Sequence, residues 1–167
     1  MKPYELLRPC GKEFPDGKQF GEWGPMWGYH FDENGIWVKG QKDGKGQHGG
    51  HDIICPSGTV LRAPGNGKVF LSGWQDPEDQ KKGYGLRLVV ELESPYSLYE
   101  GIKLIRPWLT IGHLRELWVP VGSLISRGTD FGLSGNSGNS SGDHVHLQLE
   151  VAGNMPRTPL TFSMVDY

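Results

Sequence analysis

The segment His144–Val151 (HVHLQLEV) alternates strictly between polar and apolar residues. Successive side chains of a β-strand point to opposite faces of a sheet, so this alternation predicts a strand with one face buried in a core. The apolar face would carry Val145, Leu147, Leu149 and Val151, and the polar face would carry His144, His146, Gln148 and Glu150. We therefore expect a sheet that presents two neighbouring histidines on its polar face.

The rest of the chain also favours strands over helices. Its 26 glycines and 12 prolines divide the sequence into short runs, and no stretch has a helical period. We predict an all-β fold with strands at Asp52–Cys55, Thr59–Ala63, Gly67–Ser72, Leu86–Glu93, Leu104–Leu114 and His144–Val151, and short strands about Val119 and Leu124-Ile125. Residues 1–47 are predicted to be a long irregular loop region, and further loops are predicted at Trp74–Gly83, Ser94–Gly101 and Gly135–Asp143.

Length and charge exclude several classes of function. The 167 residues are enough for one domain with a core, and a net charge of −2 offers no basic surface for nucleic acid. The sequence has no apolar run of the roughly 18 residues that cross a bilayer, and its first residues lack the apolar region of a signal peptide. We expect a monomer that neither binds nucleic acid nor inserts into a membrane. Cys10 and Cys55 are expected to be free thiols, with Cys55 in a buried strand.

Histidines and one aspartate form a pattern suited to metal binding. His144 and His146 lie about 6.6 Å apart along a strand, close enough to share an ion. In the motif HGGHD, His48 and Asp52 would be about 13 Å apart in a straight strand, so they can share an ion only if the two intervening glycines bend the chain. His113, in LTIGHLRE, is predicted to stand at the end of a strand.

Each of these features has an ordinary structural explanation when taken alone. The two histidines of HVH can be exposed polar residues, HGGHD can be a glycine turn, and a lone histidine is usually structural. Together they supply three metal ligands and two further imidazoles. Three protein ligands with one open position are typical of catalytic zinc. Zinc lowers the pKa of a bound water molecule towards about 7, and histidines that do not bind the metal can accept and donate protons in the same pH range.

Four motifs in register resemble the lysostaphin/LytM-type zinc endopeptidases, which cut peptide bonds in bacterial peptidoglycan. Phe20-Gly21 is similar to the opening FG of that family, and IGHL is similar to its single-histidine element. The run HGGHDIICPSGTVLRAPGNGKV resembles HxGxD followed by GTxVxAxxxGxV. The run VGSLISRGTDFGLSGNSGNSSGDHVHLQLE resembles the long element that ends in HxH. The resemblance covers most of residues 18–163.

The resemblance implies a role for each residue of the pattern. One zinc ion per chain would be held by His48, Asp52 and His146. His113 and His144 would be the catalytic pair that moves protons during hydrolysis.

The resemblance also implies the architecture and the substrate. The fold would be a two-layer antiparallel sheet core with long loops walling a groove, and the substrate would be a peptidoglycan peptide. Residues 1–167 would form a single metallopeptidase catalytic domain, with 1–17 as an N-terminal extension and 18–163 as the family-like region.

The chain departs from the family in several places. Ile111 stands where relatives commonly carry a tyrosine two residues before the single histidine. The loop before His48 is long and contains Trp23, Trp27, Tyr29 and Trp37, which we expect to wall the groove. We also expect His51 to be structural, His30 to be a loop histidine, and Glu150 to lie outside the group of metal ligands.

Three other classes of protein are alternatives to an active peptidase. An inactive peptidoglycan-binding or activator module of the same fold typically loses metal ligands, whereas all five positions are filled here. A cupin needs another histidine downstream, and none follows His146. A glycine-rich structural β-domain would leave the histidines incidental. The absence of a signal peptide fits a phage-type lysin kept in the host cytoplasm until lysis, and a trimmed extracellular or periplasmic enzyme is the alternative.

Overall fold

All regular secondary structure in the described residues is β-strand, which confirms the predicted all-β class. The computed structural model describes residues 4–93, 98–100, 103–151 and 159–166. In these ranges there is no helix long and apolar enough to cross a bilayer. The strands are β1 (Tyr4–Leu7), β2 (Trp23–Gly24), β3 (Tyr29–Phe31), β4 (Trp37–Lys39), β5 (Gly46–Gln47), β6 (His51–Ile53), β7 (Val60–Arg62), β8 (Gly67–Trp74), β9 (Leu86–Leu92), β10 (Leu98–Glu100), β11 (Lys103–Ile105), β12 (Pro107–Leu117), β13 (Leu124–Ile125), β14 (Asp130–Ser134), β15 (Val145–Val151), β16 (Pro159–Leu160) and β17 (Phe162–Val165).

One large antiparallel sheet organises the chain. Its strand order is β13-β8-β9-β12-β14-β7, and β15 pairs with β12 on the side opposite β9, with β6 and β16 attached to β15. The antiparallel pairs β2–β5, β3–β4 and β10–β11 are separate two-stranded sheets, whereas β1 and β17 pair in parallel. The predicted antiparallel sheet core is confirmed, and β15 has a neighbour on each side, with β12 on one side and β6 and β16 on the other.

The predicted alternation of β15 decides where the core lies. Val145, Leu147 and Leu149 are fully buried on the apolar face and pack with Leu109 and Ile111 of β12. The residues of the polar face that follow His144 are also shielded from solvent. His146, Gln148 and Glu150 are between 5 % and 8 % exposed. The sheet thus has an apolar core on one side and a covered polar surface on the other.

Several predicted boundaries are wrong. The strand predicted at Leu104–Leu114 is two strands, and β12 runs on to Leu117, so His113 lies inside a strand rather than at its end. Val119 is not in a strand, and β14 was not predicted. The register of β12 against β9 shifts between Ile111 and Leu114, and this bulge lets the strand continue past a position that breaks regular pairing.

The region predicted as irregular contains five short strands, β1 to β5. Their length of two to four residues explains why no alternation was visible in the sequence. His30 belongs to β3 and is therefore not a loop histidine. Of the other predicted loops, 135–143 and most of 74–83 contain no strand, while in 94–101 residues 98–100 form β10 and the rest lies outside the described residues.

The N-terminal segment is part of the core. Leu6 of β1 is fully buried, and Cys10 and Cys55 are buried in the same apolar cluster. Both thiols are free, and Cys55 follows β6 instead of lying in a strand as predicted. The pKa of the Cys10 thiol is raised, mainly by its hydrogen bond to Cys55 and to a smaller extent by burial.

Candidate active site

Three side chains from two parts of the chain converge on one point. One ligand atom each from His48, Asp52 and His146 lies within 4.8 Å of the other two. Nδ1 of His146 is 2.8 Å from Oδ1 of Asp52 and 3.0 Å from Nε2 of His48. Nε2 of His48 is in turn 3.3 Å from Oδ1 of Asp52. The sequence-based expectation that the chain folds His48 back over Asp52 agrees with this geometry.

Strand register brings Asp52 and His146 together. In the antiparallel pair of β6 and β15, Asp52 lies directly opposite His146, and His51 lies opposite Leu147. Neighbouring residues of a strand face opposite sides, so His51 points away from the cluster. Its Nδ1 lies 2.6 Å from Oε1 of Gln19, and its ring packs on Phe162. This agrees with the expected structural role of His51.

The two glycines of HGGHD make room for side chains of β15. A Cβ on Gly50 would lie 2.8 Å from the imidazole ring of His146 and would collide with the carbonyl oxygen of Leu147. A Cβ on Gly49 would lie 2.9 Å from Oε1 of Gln148. Glycine is therefore required here by close packing on β15.

The loops before β6 fix the position of His48. Its backbone N–H donates to the carbonyl of Glu22, and its Nδ1 lies 3.2 Å from the carbonyl oxygen of Gln19. The indole of Trp27 stacks on its ring, with centroids 4.9 Å apart. These contacts leave Nε2 of His48 facing Asp52 and His146.

His113 occupies the bulge of β12 in an unusual conformation. Its φ of 61° lies in the left-handed region, which residues other than glycine seldom adopt. Its backbone N–H donates to the carbonyl of Tyr84, and Nδ1 of its ring lies 2.7 Å from the carbonyl oxygen of Ser137. Residues in such strained conformations cluster at functional sites, and the ring of His113 lies next to that of His144, with centroids 4.6 Å apart.

His144 precedes β15 and completes the group. Its Nδ1 lies 2.8 Å from the carbonyl oxygen of Gly142, and its Nε2 lies 3.8 Å from Oδ1 of Asp52. A carbonyl oxygen only accepts, so Nδ1 carries the proton in both His113 and His144. In the uncharged form of each ring, Nε2 is then left as a proton acceptor.

Burial and neighbouring groups shift the pKa values of two residues of the site, Asp52 and His113. Burial acts to raise the pKa of Asp52, but the close contacts of its carboxylate with His146 and His48 hold that pKa well below its usual value. Burial, with the nearby His146 and His144, lowers the pKa of His113 to about 4. At neutral pH the site therefore contains an ionised Asp52 and an uncharged His113.

The five residues line one groove of about 1310 Å³. Trp27, Tyr29 and Trp37 line it together with Tyr84, so three of the four aromatic residues expected to wall the groove do so. Trp23 is not among the described lining residues, and its ring lies 6.0 Å from that of His30. The groove can hold an extended chain next to the histidine and aspartate cluster.

Four further residues differ in their position relative to the groove and the ligand cluster. Ile111 is fully buried in the core and cannot contact a ligand in the groove. Glu150 lies outside the His48, Asp52 and His146 group, as expected. Tyr84 and Gln148 line the groove but were not predicted as site residues. The alternation of β15 placed Gln148 on the polar face, whereas no local pattern indicated Tyr84.

The donor set of the cluster fits zinc. Two imidazole nitrogens and one carboxylate oxygen are a known ligand set for catalytic zinc, which keeps a fourth position open. His48 and His146 are 3 % and 5 % exposed, and the side chain of Asp52 is 13 % exposed, so the ligand atoms are largely shielded from bulk water.

The chain is similar to known peptidases in sequence and structure. The model of "Peptidase family M23" matches residues 46–158. Peptidoglycan DD-endopeptidase ShyA of Vibrio cholerae is 31 % identical over 106 residues, which is 64 % of this chain and 21 % of that protein. Glycyl-glycine endopeptidase ALE-1 of Staphylococcus capitis is 29 % identical over 120 residues, which is 70 % of this chain and 29 % of that protein.

A solved structure gives the same result. The catalytic domain of lysostaphin from Staphylococcus simulans superposes with a TM-score of 0.58 at 25 % identity, covering 84 % of this chain and 88 % of that domain. The chain spans less than a third of the length of the two curated relatives it matches. The family match covers well over half of the chain, and the chain therefore belongs to peptidase family M23.

Proposed function

We propose that this chain is a zinc-dependent endopeptidase that hydrolyses peptide bonds of bacterial peptidoglycan. The observation that carries the proposal is the convergence of His48, Asp52 and His146 within 4.8 Å, with His113 and His144 beside them in one groove. The names of the relatives, a DD-endopeptidase of peptidoglycan and a glycyl-glycine endopeptidase, support the choice of substrate class.

His48, Asp52 and His146 would hold the ion. A bound zinc ion would supply Lewis acidity to the scissile carbonyl and to the attacking water. In hydrolysis the water oxygen joins the carbonyl carbon, the C–N bond breaks, and a proton reaches the amide nitrogen. The protein must therefore accept a proton from water and return one to the leaving amine.

His113 and His144 are suited to this proton transfer. Both rings are held through Nδ1 by backbone carbonyls, which leaves Nε2 of each as a proton acceptor. Because the backbone fixes the two rings, they need little reorganisation when a substrate binds in the groove. The complete set of five side chains gives no support to the alternative of an inactive binding module.

The cell wall is the proposed site of action. The groove beside the cluster has a volume of about 1310 Å³ and is lined by aromatic residues, which suits a peptide substrate. Both a phage-type lysin and an exported enzyme would meet this substrate, and the proposed chemistry is the same in both cases.

A digest of purified sacculi tests the proposal. Sacculi from Gram-negative cells and from cells with glycine cross-bridges would be incubated with the protein, with and without a chelator. Mass spectrometry would then identify new amino termini. We expect fragments from one defined bond that disappear with chelator and with His144→Ala. Absence of fragments from a protein that holds stoichiometric zinc would contradict the proposal and favour a wall-binding protein.

A further inference from the structure

The polar face of β15 continues beyond the proposed metal ligand. Gln148 and Glu150 follow His146 at every second position, and each is 8 % exposed. Buried polar side chains need hydrogen-bond partners, because leaving one unsatisfied destabilises the fold. The partners of Gln148 therefore show what its amide does.

The amide of Gln148 links His146 to Glu150. Its Oε1 lies 3.3 Å from Nε2 of His146 and accepts the Tyr84 hydroxyl at 2.9 Å. Its Nε2 donates to Oε1 of Glu150 at 2.7 Å. The three residues of β15 thus form a continuous chain of hydrogen bonds along one face of the strand.

The carboxylate at the end of this chain sets its direction. An ionised carboxylate only accepts hydrogen bonds, so the amide nitrogen of Gln148 must face Glu150 and the amide oxygen must face His146. An acceptor opposite Nε2 of His146 favours the tautomer that carries its proton on Nε2. The lone pair of His146 is then on Nδ1, the atom that lies 2.8 Å from Asp52 and 3.0 Å from His48.

Packing prevents the amide of Gln148 from turning away. Gly49 approaches it so closely that a Cβ there would lie 2.9 Å from Oε1. The backbone of Tyr84 is held by Oε1 of Gln75, and its ring packs above Gly112, where a Cβ would lie 3.1 Å from it. The acceptor for His146 is therefore fixed from both sides.

We propose that Gln148 is a positioning residue that holds His146 in the Nε2-protonated tautomer and so presents Nδ1 to zinc, with Tyr84 and Glu150 orienting the amide. This inference rests on the proposed zinc site. Groups that orient a ligating histidine through its other ring nitrogen typically change metal affinity by about 10–100-fold when they are replaced.

Zinc affinity, measured by competition with a chromophoric chelator, tests this role without any activity assay. Gln148→Met keeps the length of the side chain but removes the acceptor, and we expect the dissociation constant for zinc to rise about 10–100-fold. Tyr84→Phe removes only one hydroxyl, and we expect a smaller rise. Gln80→Met makes the same chemical change at an exposed position outside the groove lining and should leave the affinity unchanged.

An exchange variant separates positioning from simple packing. In the double variant Gln148→Glu with Glu150→Gln, a carboxylate oxygen accepts from His146 and the new amide donates to that carboxylate. The affinity for zinc should recover relative to Gln148→Met. The thermal midpoints of the metal-free variants report whether each one folds. If Gln148→Met does not fold, the zinc affinity of Tyr84→Phe tests the positioning role instead.

Three outcomes overturn the proposal, and they distinguish a failure of the positioning role from a failure of the proposed function. If Gln148→Met binds zinc as tightly as the wild-type chain, Gln148 has no positioning role and the proposed function stands. Where Gln148→Met does not fold, wild-type affinity in Tyr84→Phe has the same meaning. A failure of the folded exchange variant to recover affinity has the same meaning. If the wild-type chain itself binds no zinc, the proposed function fails and this inference fails with it.

Discussion

Asp52 and His146 are separated by 94 positions in the chain but lie directly opposite each other in the pair of β6 and β15, with Oδ1 and Nδ1 2.8 Å apart. A shift of one residue in this register would turn His146 to the apolar core and place Leu147 in the groove. The apolar face of β15 is fully buried, so the register that protects the core also assembles the proposed metal site.

Replacement of His113 or His144 by alanine should leave zinc bound and slow the reaction. Neither residue belongs to the ligand cluster, and the backbone contacts of Nδ1 in both rings leave Nε2 as the proton acceptor. Loss of a general acid or base typically lowers kcat about 10²–10⁴-fold. Zinc content and turnover measured on the same samples would check this. Turnover close to that of the wild type in both variants would mean that another group carries the proton.

Gly50→Ala should destabilise the fold and weaken zinc binding. The added Cβ would lie 2.8 Å from the His146 ring and collide with the backbone of Leu147, and overpacking of this kind costs about 1–3 kcal/mol. Urea unfolding of the metal-free protein measures the loss. Gly28→Ala is the matched control, because a Cβ at Gly28 meets nothing within 4 Å. Equal stability of the two variants would refute the packing argument.

Only part of this site could be predicted from the sequence. The alternation of β15 gave the correct face for His146 and Gln148, since it is a local property of one strand. The register of β6 against β15 depends on pairing between distant segments, so no local pattern gives it. The left-handed conformation of His113 coincides with a bulge between β9 and β12. Because residue 113 is a histidine and not a glycine, its sequence does not indicate this conformation.

Trp27→Ala should weaken substrate binding more than catalysis. Its ring lines the groove and stacks on His48, whereas Trp118 lies outside the groove lining and is 46 % exposed. An interaction made equally in the bound substrate and the transition state changes KM and leaves kcat unchanged. We expect a higher KM for soluble peptidoglycan fragments in Trp27→Ala and an unchanged KM in Trp118→Ala. The same KM in both variants would remove Trp27 from the binding surface.

The double variant Cys10→Ser with Cys55→Ser should retain zinc and activity. Both thiols lie in the apolar core and neither belongs to the ligand cluster. Burial of two hydroxyls in place of thiols should lower the free energy of unfolding, by roughly 1–3 kcal/mol for each hydroxyl without a partner. Zinc analysis and urea unfolding would measure the two effects separately. Loss of zinc from a folded double variant would show that a cysteine takes part in metal binding.

The most direct test is titration of the metal-free protein with zinc while bound metal and peptidoglycan hydrolysis are followed together. We predict that hydrolysis rises in proportion to bound zinc and levels off at one ion per chain. His48→Ala, Asp52→Ala and His146→Ala should bind no zinc in this range, while His30→Ala, which alters a histidine of β3 outside the cluster, should behave as the wild type. Full hydrolysis by the metal-free protein, or full zinc occupancy in the three ligand variants, would contradict the account.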